Sequence, residues 1–231
     1  MDKLFLPDFR YLLKNPFFIT RRFLYQSISH FAVRFRGGRL LDVGCGTTPY
    51  RELFRVDEYV GLDYTDGARV RNPKADLHYD GGRFPVADGS FNFVLATEVL
   101  EHVFEPDAFM LEIFRSLKPG GLALITVPFM WNEHEQPYDY ARYTSFGIRH
   151  LSLKSGFEVV EQHKTGSVVP VMAQMFCVYL YHGTYRRRWL FRLVRTLVMA
   201  PVQLLALGLG RVLPRRDSFY LDNIVLLRKP G

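Results

Sequence analysis

The segment Arg39-Leu-Leu-Asp-Val-Gly-Cys-Gly-Thr-Thr-Pro-Tyr50 sets a carboxylate, Asp42, just ahead of a glycine pair, Gly44 and Gly46. Glycine tolerates left-handed backbone and lets a ligand come close, so this turn suits contact with a small molecule. Seventeen positions past Gly46, the apolar run Tyr59-Val-Gly-Leu62 stops at a second acid, Asp63. An acid at the tip of a neighbouring strand is placed to hold the two hydroxyls of a ribose. The pattern describes a nucleoside-containing cofactor, and two compete for it. A dinucleotide brings a pyrophosphate and favours a third glycine, but Thr47, Thr48, Pro49 and Tyr50 follow Gly46. S-adenosylmethionine brings an ammonium and a sulfonium and no phosphate, which Asp42 can face. Charge favours the second.

Further motifs follow in order: Leu41-Asp-Val-Gly-Cys-Gly46, Gly61-Leu-Asp63, Phe84-Pro-Val-Ala-Asp-Gly-Ser-Phe91, Glu98-Val-Leu-Glu-His102 and Leu117-Lys-Pro-Gly-Gly121. Together they resemble the class I S-adenosylmethionine-dependent methyltransferase family, in its branch of small-molecule and glycan-linked enzymes. The resemblance runs from about Arg39 to Gln162 and again, weakly, over Leu221–Lys229. It implies that Asp42, Gly44 and Gly46 line the methionine end, that Asp63 binds the ribose and that Asp80 meets the adenine amino group. It places Thr97 and Glu98 beside the transferred methyl. The chain departs from the family in lacking the third glycine.

Methyl transfer from a sulfonium is a displacement with a good leaving group. The protein must align acceptor, methyl carbon and sulfur, and an acceptor hydroxyl benefits from a base within hydrogen-bond reach. The segment from Pro128 to Thr144 carries three acids, a histidine, an arginine and several aromatics, a composition suited to a lid over the site. His134 is the expected general base. His102, Asp139, Tyr140, Arg142 and Tyr143 are the expected acceptor-binding residues, Arg142 either holding an anionic group or pairing with Asp139 or Glu135. The alternative reading of His102 is a cap on the Phe104–Pro106 turn. The resemblance links the pattern His-x-x-Pro-x-Asp-x-x-Arg-Tyr-Thr to surface-glycan and lipid-linked biosynthesis.

The elements that must position these residues alternate. Strands are predicted at Leu40–Val43, Tyr59–Leu62, near Ala75–His78, at Phe91–Ala96, Leu122–Val127, Phe157–Gln162 and Leu221–Leu227. Helices are predicted over Arg21–Phe35, Tyr50–Phe54 and Pro106–Leu117, the last stopped by Lys118-Pro-Gly-Gly121. The expected fold is α/β: a Rossmann-like, doubly wound, mostly parallel seven-stranded sheet, its last strand antiparallel by resemblance to the family, with a helical apolar insertion before it. The organisation reads as a basic, aromatic helical segment (1–38), a catalytic core (39–163), the insertion (164–220) and the final strand (221–231).

Charge is segregated along the chain. Residues 40–163 hold 11 Lys/Arg against 19 Asp/Glu, whereas residues 1–39 hold eight against two and residues 164–231 hold 11 against two. Basic flanks favour an anionic partner, a phospholipid surface or nucleic acid. Ser167–Tyr185 carries no charge and Arg186-Arg-Arg188 follows it. Pro201 and Gly208 are read as interrupting the next apolar run. Helices lying in a membrane interface fit this pattern better than spanning ones, and a helical cap on the domain is the alternative. Arginines interleaved with aliphatic runs argue for lipid over nucleic acid. The two cysteines, Cys45 and Cys177, imply neither disulfides nor a metal cluster, no metal is expected, and the N-terminus does not read as a signal peptide. The reading is a cytosolic methyltransferase, peripheral at the inner membrane surface, methylating an oxygen of a small or lipid-linked acceptor. The alternatives are a quinone- or lipid-ring methyltransferase, a nucleic-acid methyltransferase or binder, and a non-catalytic cofactor-binding protein.

Overall fold

A computed structural model describes residues 8–65 and 72–231. The first seven residues of the basic N-terminal segment lie outside it. Seven strands make one sheet: β1 (Arg39–Val43), β2 (Glu58–Tyr64), β3 (Leu77–Tyr79), β4 (Phe91–Thr97), β5 (Leu117–Pro128), β6 (Glu158–Lys164) and β7 (Asp222–Arg228). Their order is β3-β2-β1-β4-β5-β7-β6, with β7 antiparallel to both neighbours and the other pairs parallel. The chain reverses direction across the sheet between β1 and β4, which places the crevice at their carboxyl ends where Asp42 and Thr97 lie.

Alternation along each strand splits the core into two layers. Leu41, Val43, Val94 and Ile125 face α2 (Pro106–Ser116) and α3 (Ser145–Lys154), packing on Met110, Ile113 and Ile148. Leu40, Leu95, Leu124 and Ile224 face the other way, onto α1 (Phe18–Ala32) through Ile28 and Phe31. Both layers are fully buried at their centres, each large side chain contributing about 1.5–3 kcal/mol by its burial.

The predicted helix Tyr50–Phe54 is a single 3-10 turn, Arg51–Leu53. Five residues are too few to repay helix nucleation, and α1 already covers that face of the sheet. Helix α1 also starts three residues earlier than its periodicity suggested. Its free N-terminal amides are met from outside the segment: Phe18 N donates to Gln203 Oε1 at 3.0 Å and Thr20 N to Gln174 Oε1 at 3.3 Å. The Lys118–Gly121 stretch does not form a free turn but is drawn into β5, where Gly120 N donates to Lys229 O. Helix α3 has no counterpart in the sequence reading. Its start is marked by Thr144, whose hydroxyl accepts from Gly147 N at 3.1 Å.

The insertion is helical. Helix α4 (Val168–Thr184) packs against α6 (Ala200–Val212), which follows α5 (Arg188–Val194) through a π-turn at Arg195–Met199. Pro201 and Gly208 do not interrupt this run, contrary to the expectation: Arg188–Val212 is one continuous helix of 25 residues. The wide π-turn gives room for the Pro201 ring, which in a regular helix would strike the carbonyl four residues before it. A third apolar cluster, including Phe18, Ile19, Val171 and Leu207, joins the insertion to α1.

Candidate active site

The glycine turn after β1 is clamped to β2, since Gly44 N and Cys45 N both donate to Leu62 O, at 2.8 and 3.2 Å. Gly44 has φ +68°, and a Cβ there would lie 2.4 Å from Val99 Cγ2, so no larger residue fits. Gly46, at φ +47°, faces open space. Thr48 also takes the left-handed region, φ 50°, in the stretch where the third glycine is missing. Asp63 ties the two strand tips together: its Oδ2 accepts from Gly46 N at 3.2 Å and its Oδ1 from Tyr64 N at 2.8 Å.

Asp42 is 2% exposed and points toward the α1 face, where Tyr59 donates its hydroxyl to Oδ2 at 2.5 Å. Its Oδ1 has no hydrogen-bond partner among the described residues. Burial pushes this carboxyl up to about 7 against the pull of the Tyr59 hydroxyl. At the tip of β4, Glu98 is held at φ 54° by Thr126, which accepts from its amide and donates to its Oε1 at 2.7 Å. A non-glycine residue in this region is strained, and such strain gathers at functional sites. Burial raises Glu98 to about 7 as well, opposed by the Thr126 hydroxyl.

A cavity of about 480 Å³ opens on this turn, within the range of small-molecule sites. Its inner wall is Gly44–Thr47, Thr97 and Glu98. The outer wall comes from three separated segments: Phe17, Thr20 and Arg21 at the start of α1, Trp131, Asn132 and His134 after β5, and Tyr181 and His182 on α4. Phe17 anchors the aromatic part, packing edge-on against Trp131 (5.7 Å between centroids) and Tyr181 (5.0 Å). Asp42 and Asp63 sit just outside this lining. Asp80 is exposed beyond the end of β3, its Oδ1 accepting from Gly82 N at 3.1 Å.

Of the residues expected to meet the acceptor, His134 alone lines the cavity. Asp139 and Arg142 bind one another through two contacts of 2.6 Å, and Arg142 also donates to the carbonyls of Trp131, Asn132 and Ala141. Burial works against ionised Asp139, but Arg142 and the His134 amide hold its carboxyl down at about 2. The pair is a strap closing the 131–142 loop. His134 Nδ1 lies 3.2 Å from Asp139 Oδ2 and 3.5 Å from Arg142 Nη2, so the strap also fixes the imidazole ring. His102 Nδ1 lies 2.7 Å from the Tyr138 carbonyl, away from the Phe104–Pro106 turn. Tyr140 is exposed against Phe104, and Tyr143 packs on the α2–α3 layer. The sequence reading missed Phe17, Thr20, Tyr181 and His182, which lie far along the chain from the motifs. A histidine ending an otherwise uncharged run was the one available signal for the last pair.

Residues 18–162 match the family model described as a methyltransferase domain. The chain belongs to that family. The methyltransferase is 31% identical over 122 residues to a Mycolicibacterium smegmatis protein named "Probable S-adenosylmethionine-dependent methyltransferase", covering 50% of this chain and 46% of that one. It is 36% identical over 101 residues to a ubiquinone biosynthesis O-methyltransferase of Ruegeria pomeroyi, covering 39% and 41%. The chain thus spans less than half the length of either relative. Its fold matches that of the Haemonchus contortus phosphoethanolamine N-methyltransferase 2 solved with S-adenosyl-L-methionine, at TM-score 0.57 and 19% identity over 96% of this chain and 56% of the other. By family model and by fold this is a class I methyltransferase domain, and its site can be set against the needs of S-adenosylmethionine. Its residues suit that cofactor: a bare glycine turn at Gly44 and Gly46 on the cavity wall, with the Asp63 carboxylate against Gly46 at the neighbouring strand tip. When bound, the cofactor supplies an electrophilic methyl on a sulfonium.

Proposed function

We propose that this methyltransferase acts at an anionic membrane surface, methylating an oxygen of a lipid-linked or membrane-partitioned small acceptor. Gly44, Gly46 and Asp42 hold the methionine end, Asp63 the ribose and Asp80 the adenine, with Thr97 and Glu98 beside the reacting carbon. The acceptor hydroxyl enters past Trp131 and Tyr181 and gives up its proton at the His134 end of the cavity.

One observation carries the reading. Helix α4 contributes Tyr181 and His182 to the cavity wall, and the helix that follows it exposes an apolar face flanked by arginines. Trp189 is 69% exposed, Leu197 64% and Leu205 63%. Arg186, Arg187, Arg188 and Arg192 stand at one end of that helix and Arg211, Arg215 and Arg216 at the other. An apolar face with basic ends is the form of a helix lying in a headgroup layer. Both ends of the insertion return to the sheet through β6 and β7, which suits lying along the surface. An aromatic series, Tyr185–Tyr181–Phe17–Trp131, leads from this face into the cavity. The match to a ubiquinone biosynthesis O-methyltransferase supports an oxygen acceptor on a lipid-soluble molecule.

The test supplies methyl-labelled S-adenosylmethionine and total cell extract, separated into lipid and aqueous fractions, to the purified protein. Label is expected in the lipid fraction, falling at least ten-fold in the Trp189→Glu/Leu197→Glu/Leu205→Glu variant with cofactor affinity unchanged. Label confined to water-soluble products, or equal labelling by the variant, overturns the proposal.

A further inference from the structure

We propose that Glu101, His102 and His134 bind one divalent transition-metal cation at the wall of the cavity, and that zinc is the ion their donor set favours. One ligand atom from each lies within 4.8 Å of the other two. Glu101 and His102 stand on the short 3-10 turn after β4 and His134 on the segment after β5. The two are fixed together by Tyr140 N and Ala141 N donating to Glu101 O, at 2.8 and 3.3 Å.

Glu101 is the decisive residue. It is 0% exposed, and neither carboxylate oxygen has a hydrogen-bond partner among the described residues. A buried carboxylate without a partner is strongly disfavoured, and a cation is the partner that satisfies it. The histidines are prepared in the matching way. His102 Nδ1 lies 2.7 Å from the Tyr138 carbonyl, and His134 Nδ1 is held between the Asp139 carboxylate at 3.2 Å and Arg142 Nη2 at 3.5 Å. Metal-bound histidines show this outer hydrogen bond, because it fixes the ring and leaves Nε2 as donor to the ion. His102 Nε2 already lies 3.8 Å from Glu101 Oε1. One ligand atom from each side chain thus converges on a single point, with the buried Glu101 carboxyl among them.

The surroundings agree in sign. Glu98 and Asp222 bear on Glu101, and Glu135 and Asp139 on His102, whereas the cation Arg142 is bound by Asp139. Two imidazoles and one carboxylate with open positions are a donor set for zinc and its neighbours. Ligand distances of about 2.1 Å would bring the donors to roughly 3.4 Å apart, so the side chains close by small rotations on binding. A second cluster, His30, Glu161 and His163, is weaker, since Arg34 Nη2 already occupies Glu161 at 2.5 Å. The ion would lower the pKa of an acceptor hydroxyl bound to it. In that role His134 would hold the ion instead of taking the proton: the proton passes to water, the oxygen's electron pair attacks the methyl carbon, and the carbon–sulfur bond breaks to leave a neutral thioether. That role rests on the proposed methyl transfer; ion binding itself does not.

The experiment uses chelator-stripped full-length protein in a His163→Ala background, which removes the competing surface cluster, and titrates zinc by equilibrium dialysis. One equivalent is expected, weakened at least ten-fold by either Glu101→Gln or His102→Ala. Thermal melts guard against misfolding. Metal-free Glu101→Gln should melt at or above the parent, having lost a buried unpaired carboxylate, and should lose the zinc-dependent rise in Tm that the parent shows. No bound zinc in the parent, or undiminished binding by both variants, overturns the site. Calorimetry with S-adenosylmethionine is read in parallel, so failure of the ion site is distinguished from failure of the methyltransferase reading.

Discussion

Asp42 couples the cofactor site to pH. Its carboxyl is raised to about 7 by burial, from an unfolded value of 3.8. Between about pH 4 and 7 the unfolded chain therefore binds fewer protons than the native one, so stability falls as pH rises and levels off above 7. Asp42→Asn removes this dependence. Urea denaturation of the cofactor-free variant should show more stability than the parent at pH 8, by at most about 4 kcal/mol, and little difference at pH 4. An equal gain at both values would mean that packing, not ionisation, is responsible. Asp63 makes a different kind of contribution: it braces the glycine turn, and under the proposed function it holds the ribose. Asp63→Ala should weaken S-adenosylmethionine binding by about 1–3 kcal/mol in calorimetry, the scale of a charge-assisted hydrogen bond. His134→Ala should lower kcat while leaving that affinity in place; undiminished turnover would remove it from the chemistry.

At the scale of elements, the insertion is joined to the core through two buried glutamines. Gln174 on α4 accepts from Thr20 N and donates to the Pro16 carbonyl, while Gln203 on α6 accepts from Phe18 N and donates to the Asn15 carbonyl. Each side chain satisfies one amide that α1 cannot satisfy itself and one carbonyl of the preceding loop. The insertion thereby fixes Phe17, Thr20 and Arg21, which line the cavity. Gln203→Leu leaves Phe18 N and Asn15 O without these bonds in a dry setting. It should cost about 1–3 kcal/mol of stability by chemical denaturation. Cofactor affinity should fall with it, since the outer wall loosens; an unchanged denaturation midpoint would show that α1 stands without this support.

For the whole molecule the relevant quantity is the separation of charge. The acidic middle of the chain forms the sheet and its site, and the basic C-terminal part sits on the exposed insertion. A surface of this kind is attracted to anionic headgroups by about 1 kcal/mol per basic residue near the interface. Replacing Arg186, Arg187 and Arg188 together by glutamine should weaken binding to phosphatidylserine-containing vesicles about 100-fold in co-sedimentation. Raising the salt concentration should narrow the gap between variant and parent. Equal binding of neutral and anionic vesicles by the parent would leave the arginines without this role.

The order of strands, the glycine turn and the acids at the strand tips were legible because each is a local pattern with a local cause. Period-two apolar runs make strands, glycine supplies positive φ, and an acid at a strand end needs no distant partner to be recognised. Residues 39–128 carry nearly all of that information. The missed helix at Ser145–Lys154 and the helix that ran on through Pro201 show where such reasoning stops, since a π-turn's extra room is not written in composition. Tertiary structure alone brought Phe17, Trp131 and Tyr181 around one cavity and left the Glu101 carboxylate buried beside two histidines. Those facts depend on contacts between segments far apart in the chain, Phe17 with Tyr181 and Glu101 with His134, and a linear pattern records which groups are available but not which of them meet.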